Sequence, residues 1–344
     1  MILKIKNKQV DFFNEFTLSL KFDSIASTFG FKFYFDPTNE LHKDLIHVGH
    51  YHKCTLEHNG ELLLTGYLVN QSAVDSSKKD WVTISGYSLP GVLEDCEIPP
   101  DIYPLQSDGL TLNEIAKKIL DRFKLKYIVD SKIASKMNAK IKESTASDSQ
   151  KCASYLSELA SQRGIVVSHN RNGEVLFYVA RTKLKPFMTF GSGIPGVEYK
   201  LSFSGQPIHS HITVMKEADD EGGNAGESTI VNPFVVGLYR PTVKVQTSGT
   251  DIDTETAARA ALSEELKNIK LTISIDRWED VNGKIIKPNQ TIYVENAHVL
   301  IPKKSIWFVE SVDFTGNSTD QRAVLTCVLP EVYNFETPVN IFEQ

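Results

Sequence analysis

Through the first hundred positions, apolar side chains fall at every second place. Phe16-Thr17-Leu18-Ser19-Leu20-Lys21-Phe22 and Phe29-Gly30-Phe31-Lys32-Phe33-Tyr34-Phe35 alternate in this way, which marks strands with one buried face. Residues 1–6 follow the same rhythm. Residues 51–57 and 62–69 flank His58-Asn59-Gly60 and predict a hairpin. Residues 81–88 form a further strand that stops at Leu89-Pro90. Short strands at this spacing predict a barrel or sandwich over residues 1–98.

After Pro99-Pro100 the period changes. Leu112, Ile115, Ala116, Ile119, Leu120 and Phe123 are spaced as on a helix face, and Thr111 with Glu114 makes a capping box. A strand is expected at 126–129. A second helix is expected from Ser147, with Gln150 completing its capping box, to the stop signal Gly164. Its buried face would be Cys152, Tyr155, Leu156, Leu159 and Ala160. A hairpin around Asn172-Gly173 then completes an α+β domain over 99–180, which carries 12 basic and 9 acidic residues.

From 181 the alternation returns, in Val197-Glu198-Tyr199-Lys200-Leu201-Ser202-Phe203 and Ser210-His211-Ile212-Thr213-Val214. A Gly/Asp/Glu-rich segment at 217–228 is expected as a mobile loop. A helix over 254–269 would bury Ala257, Ala258, Ala261, Leu262, Leu266 and Ile269, and a strand at 271–275 leads to Arg277-Trp278-Glu279-Asp280-Val281-Asn282-Gly283. Asn282-Gly283 predicts a primed hairpin turn, since both residues tolerate positive φ. Pro288-Asn289 predicts a second bend before the alternating Thr291-Ile292-Tyr293-Val294. Strands over 305–314 and 322–329 close the chain at Leu329-Pro330. The run 83–90 echoes 323–330, each preceded by another strand. Either a duplicated β-module or a coincidence of short strands would give this pattern.

The 344 residues suffice for two to four domains, and 41% hydrophobic with 23% charged content is ordinary for a globular protein. A net charge of −6 argues against binding nucleic acid by phosphate neutralisation. Cys54, Cys96, Cys152 and Cys327 are far apart without a CxxC pair, which favours free thiols. No signal-peptide core opens the chain and no apolar run approaches the roughly 18 residues of a membrane span, so no membrane association is expected.

Four groups of residues invite a chemical reading. His42, His47, His50, His52, Cys54 and His58 offer zinc-type donors, yet on one strand His50, His52 and Cys54 would form a row on one face rather than a tetrahedron. Metal binding is therefore weighed against surface or interface histidines, and the latter reading is preferred. Gly191-Ser192-Gly193-Ile194-Pro195-Gly196 matches the dinucleotide fingerprint in letters only, because a strand rather than a helix is expected after it. His209-Ser210-His211 with Asp219 or Asp220 lacks a nucleophile elbow. The pairs Asp219-Asp220 and Glu264-Glu265 lack neighbours that would divide acid from base roles. No catalytic, cofactor-binding or metal residue is assigned, and Trp81 and Trp307 are expected in the core rather than around a sugar groove.

Trp278-Glu279-Asp280-Val281-Asn282-Gly283-Lys284, Pro288-Asn289, the run 308–312 through Leu329-Pro330, Ile84-Ser85-Gly86-Tyr87-Ser88 with Leu93-Glu94-Asp95-Cys96, and His209-Ser210-His211-Ile212-Thr213-Val214 together resemble the baseplate hub proteins of contractile-tailed bacteriophages of the Mu type. They are also similar to the hub region of contractile injection system spike proteins. The resemblance implies a mainly β fold with α+β parts: two similar antiparallel β-barrels and two smaller α+β domains. The first barrel would be 1–98, the α+β domain 99–180, the second barrel 181–215 with 281–344, and an inserted α+β subdomain 216–280. It implies signature structural residues Trp278, Asp280, Gly283, Pro288 and Asn289. It further implies a homotrimeric ring in the virion tail baseplate, assembled in the host bacterial cytoplasm and acting without cofactor. That ring would join a sixfold tail tube or its initiator proteins to a threefold central spike and other baseplate proteins, and genomic DNA would pass its channel without specific binding. The hub of a non-phage injection system is the nearest alternative, and a β-rich hydrolase or metal-binding protein a more distant one. Lys284-Ile285-Ile286 departs from the bulky aromatic that often follows this glycine in relatives, which leaves the packing partner of Trp278 open.

Overall fold

The computed structural model describes all residues except 7, 11–12, 76–79, 104, 142–143, 217–225, 247–252, 318 and 344. The fold is mainly β with helical parts, and most strand pairings are antiparallel. The chain divides into two compact units, neither of them contiguous in sequence. One comprises Met1–Val179, Asp276–Pro288 and Ser311–Ala323; the other comprises Ala180–Ile275, Asn289–Glu310 and Val324–Gln344. The expected division had grouped 281–344 with 181–215.

In the first unit the alternating runs become neighbours in one antiparallel sheet. From residues 311–317 of the strand Ile301–Asn317 it passes through Phe13–Lys21, Thr28–Tyr34, Trp81–Ser88, Glu61–Val74, Lys53–His58 and Ile2–Ile5 to Lys8–Val10. Among the described residues no pairing closes this path into a barrel. Register places Phe16 beside Phe31 and Phe31 beside Ile84, so the period-two phenylalanines stack as one buried row. The hairpin at Asn59-Gly60 forms as expected. Both residues adopt left-handed φ, 48° and 78°, and His58 faces Glu61 across the two-residue loop.

The same unit contains the expected α+β module. Its first helix, Leu112–Arg122, is held by the capping box of Thr111 and Glu114. The second helix differs from expectation and starts at Cys152 rather than Ser147. Gln150 does accept the Ser147 N–H at 2.9 Å, but Ser149 sits at φ 59° and breaks the helical path. Both helices pack with a sheet of Tyr127–Val129, Val175–Tyr178 and Val166–His169, burying Ile115, Ile119, Tyr155, Leu156 and Phe177.

In the second unit Val197–Phe203 pairs antiparallel with Ile269–Ile275 over seven register positions. Met188–Gly191 lies parallel to Gln290–Asn296, which pairs antiparallel with residues 301–309. A separate sheet orders Gly226–Val231, His211–Lys216 and Pro241–Gln246, and helix Thr254–Leu266 packs against its first two strands. The helix was expected to reach Ile269, which instead opens the next strand opposite Phe203. The expected loop at 217–228 lies mostly outside the described residues, and Gly226 already begins a strand.

Of the two tryptophans expected in the core, Trp307 is fully buried. Trp81 is only half-buried, because it lies face to face with Tyr34 at 4.0 Å beneath the Lys32 ammonium. The echo between 83–90 and 323–330 extends to the order of the elements. Trp81–Ser88 runs through Leu89-Pro90 into the short helix Val92–Asp95, and Gln321–Val328 runs through Leu329-Pro330 into the short helix Glu331–Asn334. A long strand precedes each, Glu61–Val74 in one case and Ile301–Asn317 in the other.

Candidate functional site

Trp278 is anchored from three sides inside the first unit. Its indole N–H donates to the Thr315 carbonyl at 3.0 Å, and its ring meets Phe16 and His58 edge to face at 5.0 and 5.3 Å. Only 3% of the residue is exposed. The approach requires Gly316, where a Cβ would stand 2.4 Å from the indole and 2.7 Å from Phe16. His58 Nε2 and Glu279 Oε1 lie 2.5 Å apart, which ties the next residue to the Lys53–His58 strand. Lys287 closes the segment by bonding Glu61, whose carboxylate also takes Arg171 at 3.3 Å.

Between these anchors the chain folds back on itself. Glu279 bridges Ile285, and the Asp280 N–H donates to the Lys284 carbonyl at 2.7 Å. The Asp280 carboxylate accepts the N–H groups of Asn282 and Lys284 at 2.8 and 3.0 Å, and the Gly283 N–H donates to the Asp280 carbonyl. Gly283 alone is left-handed, at φ 73°. The turn is therefore not the primed type expected of Asn282-Gly283, because the Asp280 bonds hold Asn282 at negative φ. Ile285 and Ile286 are buried, while Val281 projects from the tip at 74% exposure.

The remaining signature positions fall elsewhere. Pro288 is half-buried at the end of the segment. Asn289 belongs to the second unit and has φ 62°. There its N–H donates to the Val309 carbonyl at 2.9 Å, and its Oδ1 accepts the Arg181 N–H at 2.8 Å. Trp278, Asp280 and Gly283 thus share one loop, and Asn289 makes a different bend. Sequence reading did not find Phe16, Thr315 and Gly316 as the seat of Trp278, since their demand arises only when distant strands meet. His58 had been grouped with the other histidines.

That histidine group divides. His42 Nδ1 accepts the Asp36 N–H at 3.0 Å, and Cys54 is buried in the sheet with its thiol pushed up to about 12 by burial. His47 and His50 stack at 4.2 Å, and His50 meets His52 at 5.4 Å. The expected row of His50, His52 and Cys54 does not form. Tyr51 has φ 40°, and the strand begins only at Lys53. Among the described residues no group of three or more His, Cys, Asp or Glu side chains is arranged to hold a metal ion.

The other motifs serve local structure. Gly191 ends one strand, and Val197 starts another after a turn with Gly193 and Gly196 at positive φ. His209 is bound twice by buried Glu265, through its N–H at 2.7 Å and its Nδ1 at 2.8 Å. Ser210 Oγ lies 2.9 Å from His211 Nδ1 and accepts the Arg240 N–H at 2.7 Å. Asp219 and Asp220 lie outside the described residues. Glu264 pairs with Lys267 at 2.9 Å. Among the described residues no helix is long and apolar enough to cross a membrane.

Baseplate hub protein gp44 of Escherichia phage Mu is 24% identical over 285 residues, spanning 78% of this chain and 72% of gp44. The chain resembles a Mu-type baseplate hub. The resemblance drawn from the residues is thus borne out. The 43 kDa tail protein of prophage MuSo2 from Shewanella oneidensis shares the fold, with a TM-score of 0.78 at 18% identity, covering 97% of this chain and 98% of that one. The E. coli c3393 protein, a component of the type VI secretion system, matches with a TM-score of 0.56 at 11% identity over 98% of this chain and 80% of its own. No family model matches the sequence.

Proposed function

We propose that the chain is a structural baseplate hub that works by assembly and not by catalysis. Three copies would form a ring that adapts the sixfold tail tube to the threefold central spike, with other baseplate proteins around it and the genome passing through its channel. The observation that carries this reading is the recurrence within one chain of a long strand, a second strand, Leu-Pro and a short helix. Two similar barrels per chain, six per trimer, would present pseudo-sixfold symmetry to the tube. The likeness to the Mu hub protein supports the same assignment. The net charge of −6 suits a channel wall that must not hold DNA.

On this reading the barrels correspond to 1–98 and to 181–215 with 281–344. The α+β parts are 99–180 and an insertion drawn at 216–280. Trp278, Asp280, Gly283, Pro288 and Asn289 would be the structural signature, and the virion baseplate the location, reached by assembly in the bacterial cytoplasm. Cryo-microscopy of the purified protein, alone and with its spike, tests the proposal. A threefold ring with an open channel about as wide as duplex DNA is the expected result, and a stable monomer under every condition overturns it. The shared fold with a type VI secretion component favours one second reading, the hub of a non-phage injection machine. The neighbouring genes distinguish the two. Stoichiometric zinc in purified protein would count against both.

A further inference from the structure

The first unit carries a basic cavity. It has a volume of about 420 Å³, and Lys4, Lys6, Lys53, Thr55, Thr65 and Asn172 line it. Strand register explains the convergence. Lys4 lies beside Thr55, and Thr55 beside Thr65, so one ammonium and two hydroxyls form a row across three strands. Period two turns Leu3 and Ile5 inward and sends Lys4 to the other face. Asn172, from the turn between Val166–His169 and Val175–Tyr178, also lines it.

The charges are unevenly matched. Lys4 Nζ is 2.6 Å from Glu57, and Lys6 Nζ is 2.9 Å from Asp44. Lys53 has no ion pair among the described residues and is exposed. Cys54 also lines the cavity, but burial keeps its thiol neutral, so it adds no negative charge to oppose an anion. The lining is therefore cationic and rich in hydrogen-bond donors within a protein of negative net charge. A lysine ammonium is a compact charge that suits phosphate oxygens, and hydroxyl and amide donors complete such a site. A volume of this size fits a small molecule rather than a polymer.

We propose that this cavity binds a small phosphate-bearing molecule, its phosphate dianion seated between Lys53 and Lys4 and hydrogen-bonded by Thr55 and Thr65. The test is titration calorimetry of the full-length protein with inorganic phosphate and with glycerol phosphate at pH 8 and constant ionic strength. Phosphorus NMR line broadening serves as the second readout. Saturable binding is expected, weakened at least tenfold by Lys53→Gln and left unchanged by Lys303→Gln, which alters a lysine outside the cavity. Tighter binding of glycerol phosphate than of free phosphate would identify an ester as the ligand, and the reverse order would identify the free ion. Affinity should also fall between pH 8 and pH 5.5 as the dianion gains a proton. Absence of saturable binding, equal affinity in Lys53→Gln, or displacement of phosphate by a short DNA duplex overturns the proposal.

Discussion

Gly316 carries no side chain because the indole of Trp278 occupies the space one would need. Gly316→Ala should destabilise the protein by about 1–3 kcal/mol, the usual cost of overpacking a filled core. Urea unfolding followed by tryptophan fluorescence measures this, and an unchanged midpoint would mean that the ring yields freely. Trp278 was legible in the sequence as a large aromatic before a turn. Gly316 was not, because its constraint comes from a residue on another segment. Asp44 was equally invisible as a charge partner. Hydrogen bonds from Lys6 and then Lys8 hold its carboxyl at about 2, well below the ordinary 3.8. A carboxyl depressed on folding stabilises the native state above its unfolded value and loses that contribution as pH falls through about 2. The tie should therefore weaken between pH 4 and pH 2, and carbon NMR of the Asp44 carboxyl should titrate near 2. A midpoint near 3.8 would show that neither lysine engages it.

Among elements, legibility followed how locally each signal acts. The capping box of Thr111 and Glu114 sits within one helical turn, and the helix starts where it predicts. Thr111→Ala should cost about 1 kcal/mol, read from thermal or urea unfolding, with an unchanged stability showing that the cap is dispensable. The second box failed because a single residue, Ser149, turns left-handed between its two members. The two Asn-Gly pairs make the clearest contrast. At Asn59-Gly60 both residues are left-handed, whereas at Asn282-Gly283 only the glycine is. The difference is Asp280, whose carboxylate bonds two N–H groups within the second turn. Asp280→Ala should cost about 1 kcal/mol and speed amide exchange at Asn282 and Lys284. Unchanged protection at those amides would remove the carboxylate from the account of the turn.

At the scale of the whole molecule, composition and alternation gave a mainly β chain with helical parts, and the structure has that character. The partition into units was less legible, because pairing between strands far apart in sequence assigns residues 311–323 to the unit of Met1–Val179. Periodicity reports which face of a strand is buried and not which strand it joins. Gly283 and Asn289 are the left-handed positions on either side of Pro288. Replacing both with valine should reduce assembly of the proposed trimer more than it reduces solubility of the monomer. Light scattering after size-exclusion chromatography checks this, and normal assembly of the double variant would remove these bends from the assembly mechanism.

The interleaving also sets a timetable during synthesis. When residue 179 leaves the ribosome, the strand Phe13–Lys21 still lacks its neighbour at 311–317. At about 5–20 residues per second, the stretch up to residue 323 takes roughly 7–30 s to emerge. Throughout that interval the nascent chain shows an unpaired strand edge beside a row of phenylalanines, a template for pairing with another chain. Premature contact between nascent copies on one messenger is thus the hazard this topology creates, and holdase chaperones that mask extended aromatic segments are the cellular factors on which its yield should depend.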